Sequence, residues 1–422
     1  MHLVHRKTCR VCGSQALTRV IDLGEQYLQG SFIKPGKQMP PLRKIPTALV
    51  RCDPTKDEKA CGLLQMPRSV PPEILYSVYW YRSGTNQTMN SHLRKMAEEA
   101  SQFIDKADAC VLDIGCNDGT LLKYYPKEYI KFGIDPSDLV LEVSGDIKVI
   151  QDFFPSEHLL KEMKGTQFDI ITSIAMFYDL EDPIHFVKNL KDILSKEGVW
   201  IFEMSYMPSM LKLNSYDTIC HEHLEYYSLA VIEYILRKME MKLLKAELNN
   251  INGGSIRCYA THIENFKFDH KELFENIAAL RREEFDLELD TDKPYRHFQE
   301  RIEAHKKELT TLLKNLKQQG KKIHIYGAST KGNTILQWCE IDNTIIDFAA
   351  ERNPDKWGAK TIGTHIPIIS EKESRKIKPD YYLVLPWHFK EEFVKREEDI
   401  LREGTSMIFP LPTIEIISHK KD

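Results

Sequence analysis

One stretch, Val111–Leu122 with the sequence VLDIGCNDGTLL, narrows the possible folds of this chain more than any other. Val111, Leu112 and Ile114 form an apolar run that reads as the end of a buried strand, with Asp113 inside it. Gly115, Cys116, Asn117, Asp118 and Gly119 follow, and a helix is expected to start near Thr120. Glycines between a strand and a helix start let backbone N–H groups come close to a ligand. The spacing is G-x-x-x-G, which differs from the G-x-G-x-x-G of dinucleotide folds. A second strand, Ile130–Ile134, ends in Asp135, sixteen residues after Gly119. A carboxylate at that strand tip can accept hydrogen bonds from ribose hydroxyls. The plain alternative is a tight strand–helix turn in some other α/β protein.

The middle of the chain keeps this rhythm. Residues 90–105 carry a helical pattern (Leu93, Met96, Ala97, Ala100, Phe103, Ile104) and lead into the first strand. After Asp135 a strand, Lys148–Ile150, runs into Gln151, Asp152, Phe153 and Phe154, an acid beside aromatics that suits an adenine ring and its amino group. Phe168–Ile174 reads as the fourth strand, followed by Ala175, Met176, Phe177, Tyr178 and Asp179. A helix with Phe186, Leu190 and Ile193 and a fifth strand, Gly198–Phe202, come next. Alternation of this length predicts a doubly wound parallel sheet with ligands at the strands' C-terminal ends. The glycine loop and the acidic strand tip together resemble motif I and the acidic loop of class I S-adenosylmethionine (SAM) methyltransferases. The resemblance implies SAM as cofactor, with Asp113, Gly115, Cys116, Asn117, Gly119, Asp135, Asp152, Phe153 and Ala175 as its candidate contacts.

At the N-terminus Cys9-Arg-Val-Cys12-Gly13 has the form of a zinc knuckle, thiolates on a tight turn whose N–H groups point at sulfur. Cys52 and Cys61 supply the second pair, with the polar stretch Asp53–Ala60 read as a loop inserted between them. Four sulfurs leave no open coordination position, so the expected ion is a structural Zn²⁺. Free cysteines or a redox pair are the alternative. Two prolines, Pro71 and Pro72, precede an aromatic stretch with Tyr76, Tyr79, Trp80 and Tyr81, which reads as a lead-in able to line a pocket or to pack on its neighbour.

Beyond the fifth strand, Ser215–Ser228 (SYDTICHEHLEYYS) places His221, Glu222 and His223 side by side. This is not H-E-x-x-H, so a metalloprotease pair is excluded. In an extended segment the two histidines would share one face and Glu222 would point away. A His with a pKa near operating pH suits general-base work; a satisfied core or surface His is the usual alternative. Asn252-Gly253-Gly254-Ser255 predicts a tight hairpin turn before a strand, Ile256–Thr261. Residues 266–320 are highly charged with helical periodicity and read as one or two long helices broken around Asp290–Tyr295, their charges on solvated faces. A second α/β unit then begins: strand Lys322–Tyr326, a turn Gly327–Asn333, strand Thr344–Ala349 ahead of Glu351, and strand Tyr381–Pro386 ahead of Trp387. Hydroxyls, a lysine and free N–H groups at a helix start suit a pyrophosphate, and Walker A spacing is absent.

Four segments are therefore expected: a zinc-binding module at 1–70, a SAM domain with its aromatic lead-in at 71–265, a helical linker at 266–320 and a second α/β domain at 321–422. Net charge is −4 and pI about 6.5, which argues against a nucleic-acid binder built on the zinc module. No apolar run approaches the roughly 20 residues of a membrane helix. The N-terminal residues lack a long apolar signal region, so no membrane partner and a cytoplasmic protein are expected, as a monomer or weak homo-oligomer.

The knuckles, the aromatic lead-in, DIGCNDG, the HEH loop, the GGS turn and YGASTKGN occur in one order along nearly the whole chain. In that combination the chain resembles nucleotide-sugar C-methyltransferases, which methylate 4-keto-deoxy sugars. The resemblance implies His223 as base with Glu222 beside it, His221 in the same loop, and Tyr79 or Tyr81, Tyr81 preferred, near the reacting carbon. It also implies a nucleotide-diphosphate sugar in contact with Tyr178, Asp179, Cys220, Thr330, Lys331, Asn333, Glu351 and Trp387. Relatives carry a tyrosine where Cys220 stands and a histidine after the fourth strand where this chain has Tyr178-Asp179. The methylated carbon, C-3 or C-5 beside a 4-ketone, stays open. Methyl transfer to oxygen or nitrogen is the runner-up chemistry.

Overall fold

The computed structural model describes residues 3–76, 80–268 and 271–419. Near the N-terminus β1 (Leu17–Gln26), β2 (Ile45–Cys52) and β3 (Leu64–Gln65) pair antiparallel. The first long helix, α1 (Gln87–Ser101), starts where the Asn86 side chain accepts from Met89 N, and it buries Met89, Leu93, Met96, Ala97 and Ala100 on one face.

The central sheet is built from β4 (Cys110–Ile114), β5 (Ile130–Asp135), β6 (Ile147–Gln151), β7 (Phe168–Ile174) and, after α2 (Pro183–Ile193), β8 (Leu194–Ser205). A short strand β9 (Glu225–Tyr226) and helix α3 (Leu229–Lys238) lead to the hairpin β10 (Met241–Asn249) and β11 (Ser255–His262). The strand order is β10-β11-β8-β7-β4-β5-β6, parallel except that β11 runs antiparallel to both its neighbours. Side chains alternate between two cores: Val111, Ile170 and Ile201 pack with α1, while Leu112, Ile171 and Phe202 pack with α2 and α3. Helices on both faces explain why β4 is buried along its whole length.

Two helices follow, α4 (Lys271–Asp286) and α5 (Lys293–Gln318). The second α/β unit contains β12 (Ile323–Tyr326), α6 (Thr330–Trp338), β13 (Phe348–Glu351), β14 (Ile368–Ser370), α7 (Glu371–Ile377), β15 (Tyr381–Val384), β16 (Ser406–Phe409) and β17 (Glu415–Ile417). Its order is β14-β13-β12-β15-β16-β17, with only β17 antiparallel to its neighbour. The buried stripe of α5, running from Tyr295 through Ile302 and Leu309 to Leu316, joins a core shared with Ile323 and Ile325 of β12 and with Ile21 and Leu49 of the N-terminal sheet. One core thus spans the N- and C-terminal parts of the molecule.

Three expectations about elements need correction. No α-helix follows the glycine loop: Leu122–Tyr124 form a single 3₁₀ turn, because Pro126 forces the preceding Tyr125 into an extended conformation. The strand expected at 344–349 is shifted to Phe348–Glu351, since Asp342 accepts from the N–H and hydroxyl of Thr344 and holds a turn there. The strand expected at 381–386 stops at Val384.

Candidate active site

The C-terminal ends of the two parallel sheets face one cavity of about 740 Å³. On the central-sheet side, β4 delivers Asp113, whose carboxyl accepts from Thr172 Oγ1 at 2.6 Å. Burial, reinforced by the nearby Asp135, pushes Asp113 up to about 7. The loop then turns sharply at Gly115 (φ 76°), where a Cβ would stand 3.1 Å from Met176. Asn117 N donates to Asp135 Oδ2 at 2.9 Å, and Ser137 satisfies Oδ1. Ala175, with φ 55°, sits at the tip of β7, its N–H bonded to Glu203 O at 2.7 Å. Left-handed backbone at an alanine is strain held by its surroundings, of the kind that collects at functional sites.

The second unit repeats this construction. Gly115 N bonds Ile134 O at 2.8 Å, and Gly327 N bonds Ala350 O at 2.9 Å. Just as Asp135 takes Asn117 N, Glu351 Oε2 takes Ala328 N at 3.0 Å, and its Oε1 takes the N–H groups of Arg352 and Asn353. Two strand ends of the same construction therefore border a single space.

Asp113, Gly115, Cys116, Asn117, Asp135, Asp152, Phe153 and Ala175 all line the cavity, and Gly119 does not. Gly119 turns the loop with φ 69°, backed by Val143. The Asp152 oxygens are engaged locally, by Phe153 N and Ser156 Oγ, and Phe153 is 39% exposed. Tyr81 lines the cavity and remains 47% exposed. The backbone around it is pinned to the glycine loop by Asn117 Nδ2 to Tyr81 O (3.1 Å), Ser83 N to Asn117 Oδ1 (3.0 Å) and Gly84 N to Asp118 Oδ2 (2.8 Å). Tyr79 lies outside the described residues.

In the HEH loop the extended geometry expected for 221–223 is absent. His223 N bonds Cys220 O at 3.1 Å, so the segment is a turn, and strict alternation is lost. Glu222 and His223 both face the cavity, whereas His221 points away, its Nε2 against Thr47 Oγ1 (3.2 Å) and Ile45 O (3.3 Å). Cys220 is fully buried off the cavity wall. His223 Nδ1 contacts Thr218 O at 2.8 Å. Burial first, and then the charge of Lys331, bring the His223 imidazolium down to about 3. Among the described residues the Glu222 carboxyl has no hydrogen-bond partner, and burial raises it to about 7. Tyr178 packs against the His223 ring at a centroid distance of 4.2 Å, and Asp179 is pushed well up by burial and by Glu222.

On the opposite wall Thr330, Lys331 and Glu351 line the cavity. Asn333 and Trp387 do not: Asn333 Nδ2 donates to Gln29 O at 2.7 Å, and Trp387 Nε1 to Asp217 Oδ2 at 2.9 Å. These two side chains tie loops together rather than face the space. Sequence reasoning passed over Arg352, Lys356, His388 and Arg396 on this wall and Glu203 on the other. For His388 the signal was present, one residue beyond the strand-end Trp387.

The four cysteine sulfurs lie within 4.8 Å of one another, with Cys9–Cys61 at 3.5 Å and Cys12–Cys52 at 3.4 Å. Those separations fit the edges of a tetrahedron with Zn–S bonds of about 2.3 Å. Val11 N points at Cys9 Sγ from 3.4 Å, as a knuckle requires. Arg10, inside the knuckle, donates to Gln65 Oε1 and Met66 O and lies 3.4 Å from the buried Glu225 carboxylate.

Three domain families match the chain: "Putative zinc binding domain" over residues 9–76, "Methyltransferase domain" over 86–246 and "C-methyltransferase C-terminal domain" over 250–412. The C-methyltransferase NovU of Streptomyces niveus is 26% identical over 417 residues, 97% of this chain and 96% of that protein. A tRNA U34 carboxymethyltransferase of Campylobacter jejuni is 32% identical over 107 residues, 23% of this chain and 36% of that protein. Among solved structures, the plantazolicin methyltransferase BpumL in complex with SAH is 16% identical with a TM-score of 0.32, covering 40% of this chain and 82% of that one. Over nearly its whole length the chain is thus similar to a C-methyltransferase, and it is a SAM-dependent methyltransferase with a structural zinc site.

Proposed function

We propose that the methyl acceptor is a carbon next to the ketone of a nucleotide-diphosphate 4-keto-deoxy sugar, at C-3 or C-5. The observation that carries this reading is the shared cavity, in which Asp113 and Asp135, the pair Glu222–His223 and the start of α6 all face one space. Bound SAM supplies a methyl group on a positively charged sulfur. A sugar carbon becomes nucleophilic only after its C–H is deprotonated beside a carbonyl, so the protein must provide a base.

His223 is the candidate for that task in its neutral form, although burial and Lys331 hold it below the operating range expected of a base. A carbonyl oxygen only accepts, so Nδ1 carries the proton in the 2.8 Å contact to Thr218 O, and Nε2 presents a lone pair. Tyr178 and Tyr81 wall the acceptor, and Asp135 with Asn117 orders the loop that receives the methyl donor. For the diphosphate, the start of α6, where Ser329 caps Gly332 N and Thr330 lines the cavity, lies on the same wall as Arg352 and Arg396. The protein acts as a cytoplasmic enzyme, as a monomer or weak homo-oligomer, on a small-molecule acceptor.

The test is a panel of 4-keto-deoxy sugars linked to thymidine, uridine, guanosine or cytidine diphosphate, incubated with enzyme and SAM in heavy water. Mass spectrometry should find a product heavier by one methyl on carbon, with deuterium incorporated next to the ketone. Methylation of oxygen or nitrogen without C–H exchange would replace this reading with the runner-up.

A further inference from the structure

Lys331 is the second residue of α6, yet its ammonium does not stay over that helix start. Nζ donates to Asn252 O at 2.6 Å, so the side chain reaches across to the turn between β10 and β11. That turn is held in place. Asn252 is left-handed (φ 55°), and a Cβ on Gly253 would stand 2.8 Å from the Trp387 ring. Trp387 in turn donates to Asp217, whose other oxygen has no hydrogen-bond partner among the described residues. The carbonyl of Asn252 uses one of three ammonium hydrogens and leaves two for a ligand.

Lys331, Asn252, His223, Glu222 and His388 line the same cavity. Burial lowers the Lys331 pKa while Asp217 pulls it back, and its charge lowers those of His223 and His388. A proton leaving carbon for His223 puts negative charge on the ketone oxygen, and burial pushes the acids on that wall, Glu222 and Asp179, towards neutral forms that carry no positive charge to set against it. The half-buried ammonium of Lys331 carries that charge, and it is worth more beside the base than in water.

We propose that Lys331 is a catalytic residue whose ammonium holds the enolate oxygen, so that the second α/β unit completes the reacting centre of the first. This rests on the ketone-activated acceptor proposed above. As the C–H proton goes to His223 Nε2, its electron pair becomes a C=C bond and the carbonyl π pair moves to oxygen, beside Lys331. As the carbon then bonds to the methyl group, C=O re-forms and the S–CH₃ pair leaves with sulfur. The proton on His223 passes to solvent.

Lys331→Gln and Lys331→Arg in the full chain test this, with thymidine-diphosphate 4-keto-6-deoxyglucose or whichever panel sugar the wild type deuterates. Lys331→Gln should lose about 100- to 1,000-fold in kcat and in deuterium exchange, with KM changed less than about threefold. Lys331→Arg should recover part of both, and SAM affinity by calorimetry should be unchanged. If Lys331→Gln melts early, Lys331→Met takes its place. A raised KM with kcat and exchange intact at saturation would make Lys331 a phosphate contact and overturn the proposal, as would unchanged kinetics. A wild type that methylates oxygen or nitrogen without exchange would instead remove the acceptor reading, and the enolate role with it.

Discussion

A backbone carbonyl cannot donate, so the contact from His223 to Thr218 O decides which ring nitrogen holds the proton. Replacing His223 by Asn keeps a donor at this position and removes the basic ring nitrogen. Turnover should fall by at least about 100-fold, with SAM binding unchanged by calorimetry. Near-normal turnover would exclude His223 as the base. Glu222 predicts a pH effect. Its folded-state pKa of about 7 lies above the ordinary 4.5, so between these values the folded protein holds a proton that the unfolded chain has released. The stability this contributes is complete below pH 4.5 and is lost as pH rises through 7. His223 acts in the opposite sense, losing stability as pH falls from 6.5 towards 3. The melting temperature of Glu222→Gln should therefore decline less than that of the wild type between pH 5 and 8. Equal slopes by calorimetry would show that Glu222 does not titrate there.

At the scale of elements, α5 is where a surface reading and a packing reading part. Its charged face is legible in the sequence, and the opposite stripe of Phe298, Ile302, Leu309 and Leu313 is fully buried. Leu309→Ala should cost about 2–5 kcal/mol in urea unfolding, the range for a buried leucine cavity. A cost under about 0.5 kcal/mol would mean that the helix is only a tether. The strands and long helices were readable because burial imposes periods of 2 and 3.6. Leu122–Tyr124 and Thr344 were misread because of short local features: Pro126 stops a helix, and the Asp342 turn delays a strand, where the apolar pattern alone would continue them.

The whole molecule links the zinc site to the HEH loop. β9, two residues past His223, pairs with β3 of the N-terminal sheet, Glu225 opposite Gln65, and Met66 N bonds Leu224 O at 2.9 Å. Arg10 of the knuckle meets the same Glu225. Removing zinc with a chelator, or by Cys52→Ser, should lower the melting temperature and also speed amide exchange in residues 220–226. Turnover should fall with it. Full turnover in a protein shown to be metal-free would separate the module from the loop.

The sequence alone determined the glycine loop with its acidic strand tip, each cysteine pair and the repetition of α/β units, because each depends on residues close in sequence and on backbone rules that hold anywhere. The joining of the two cysteine pairs across 40 residues was inferred from their number and confirmed only in the fold. The direction of each side chain was decided only by tertiary structure. Glu222 joins His223 at the cavity because Cys220–His223 turn rather than extend. His221 looks away because Thr47 and Ile45 of a distant strand receive it. Asn333 and Trp387 are drawn off the cavity by partners at Gln29 and Asp217. Lys331 crosses to Asn252, a partner 79 residues away in sequence. Such long-range hydrogen bonds leave no periodic trace, and they determine which of the legible residues share one active site.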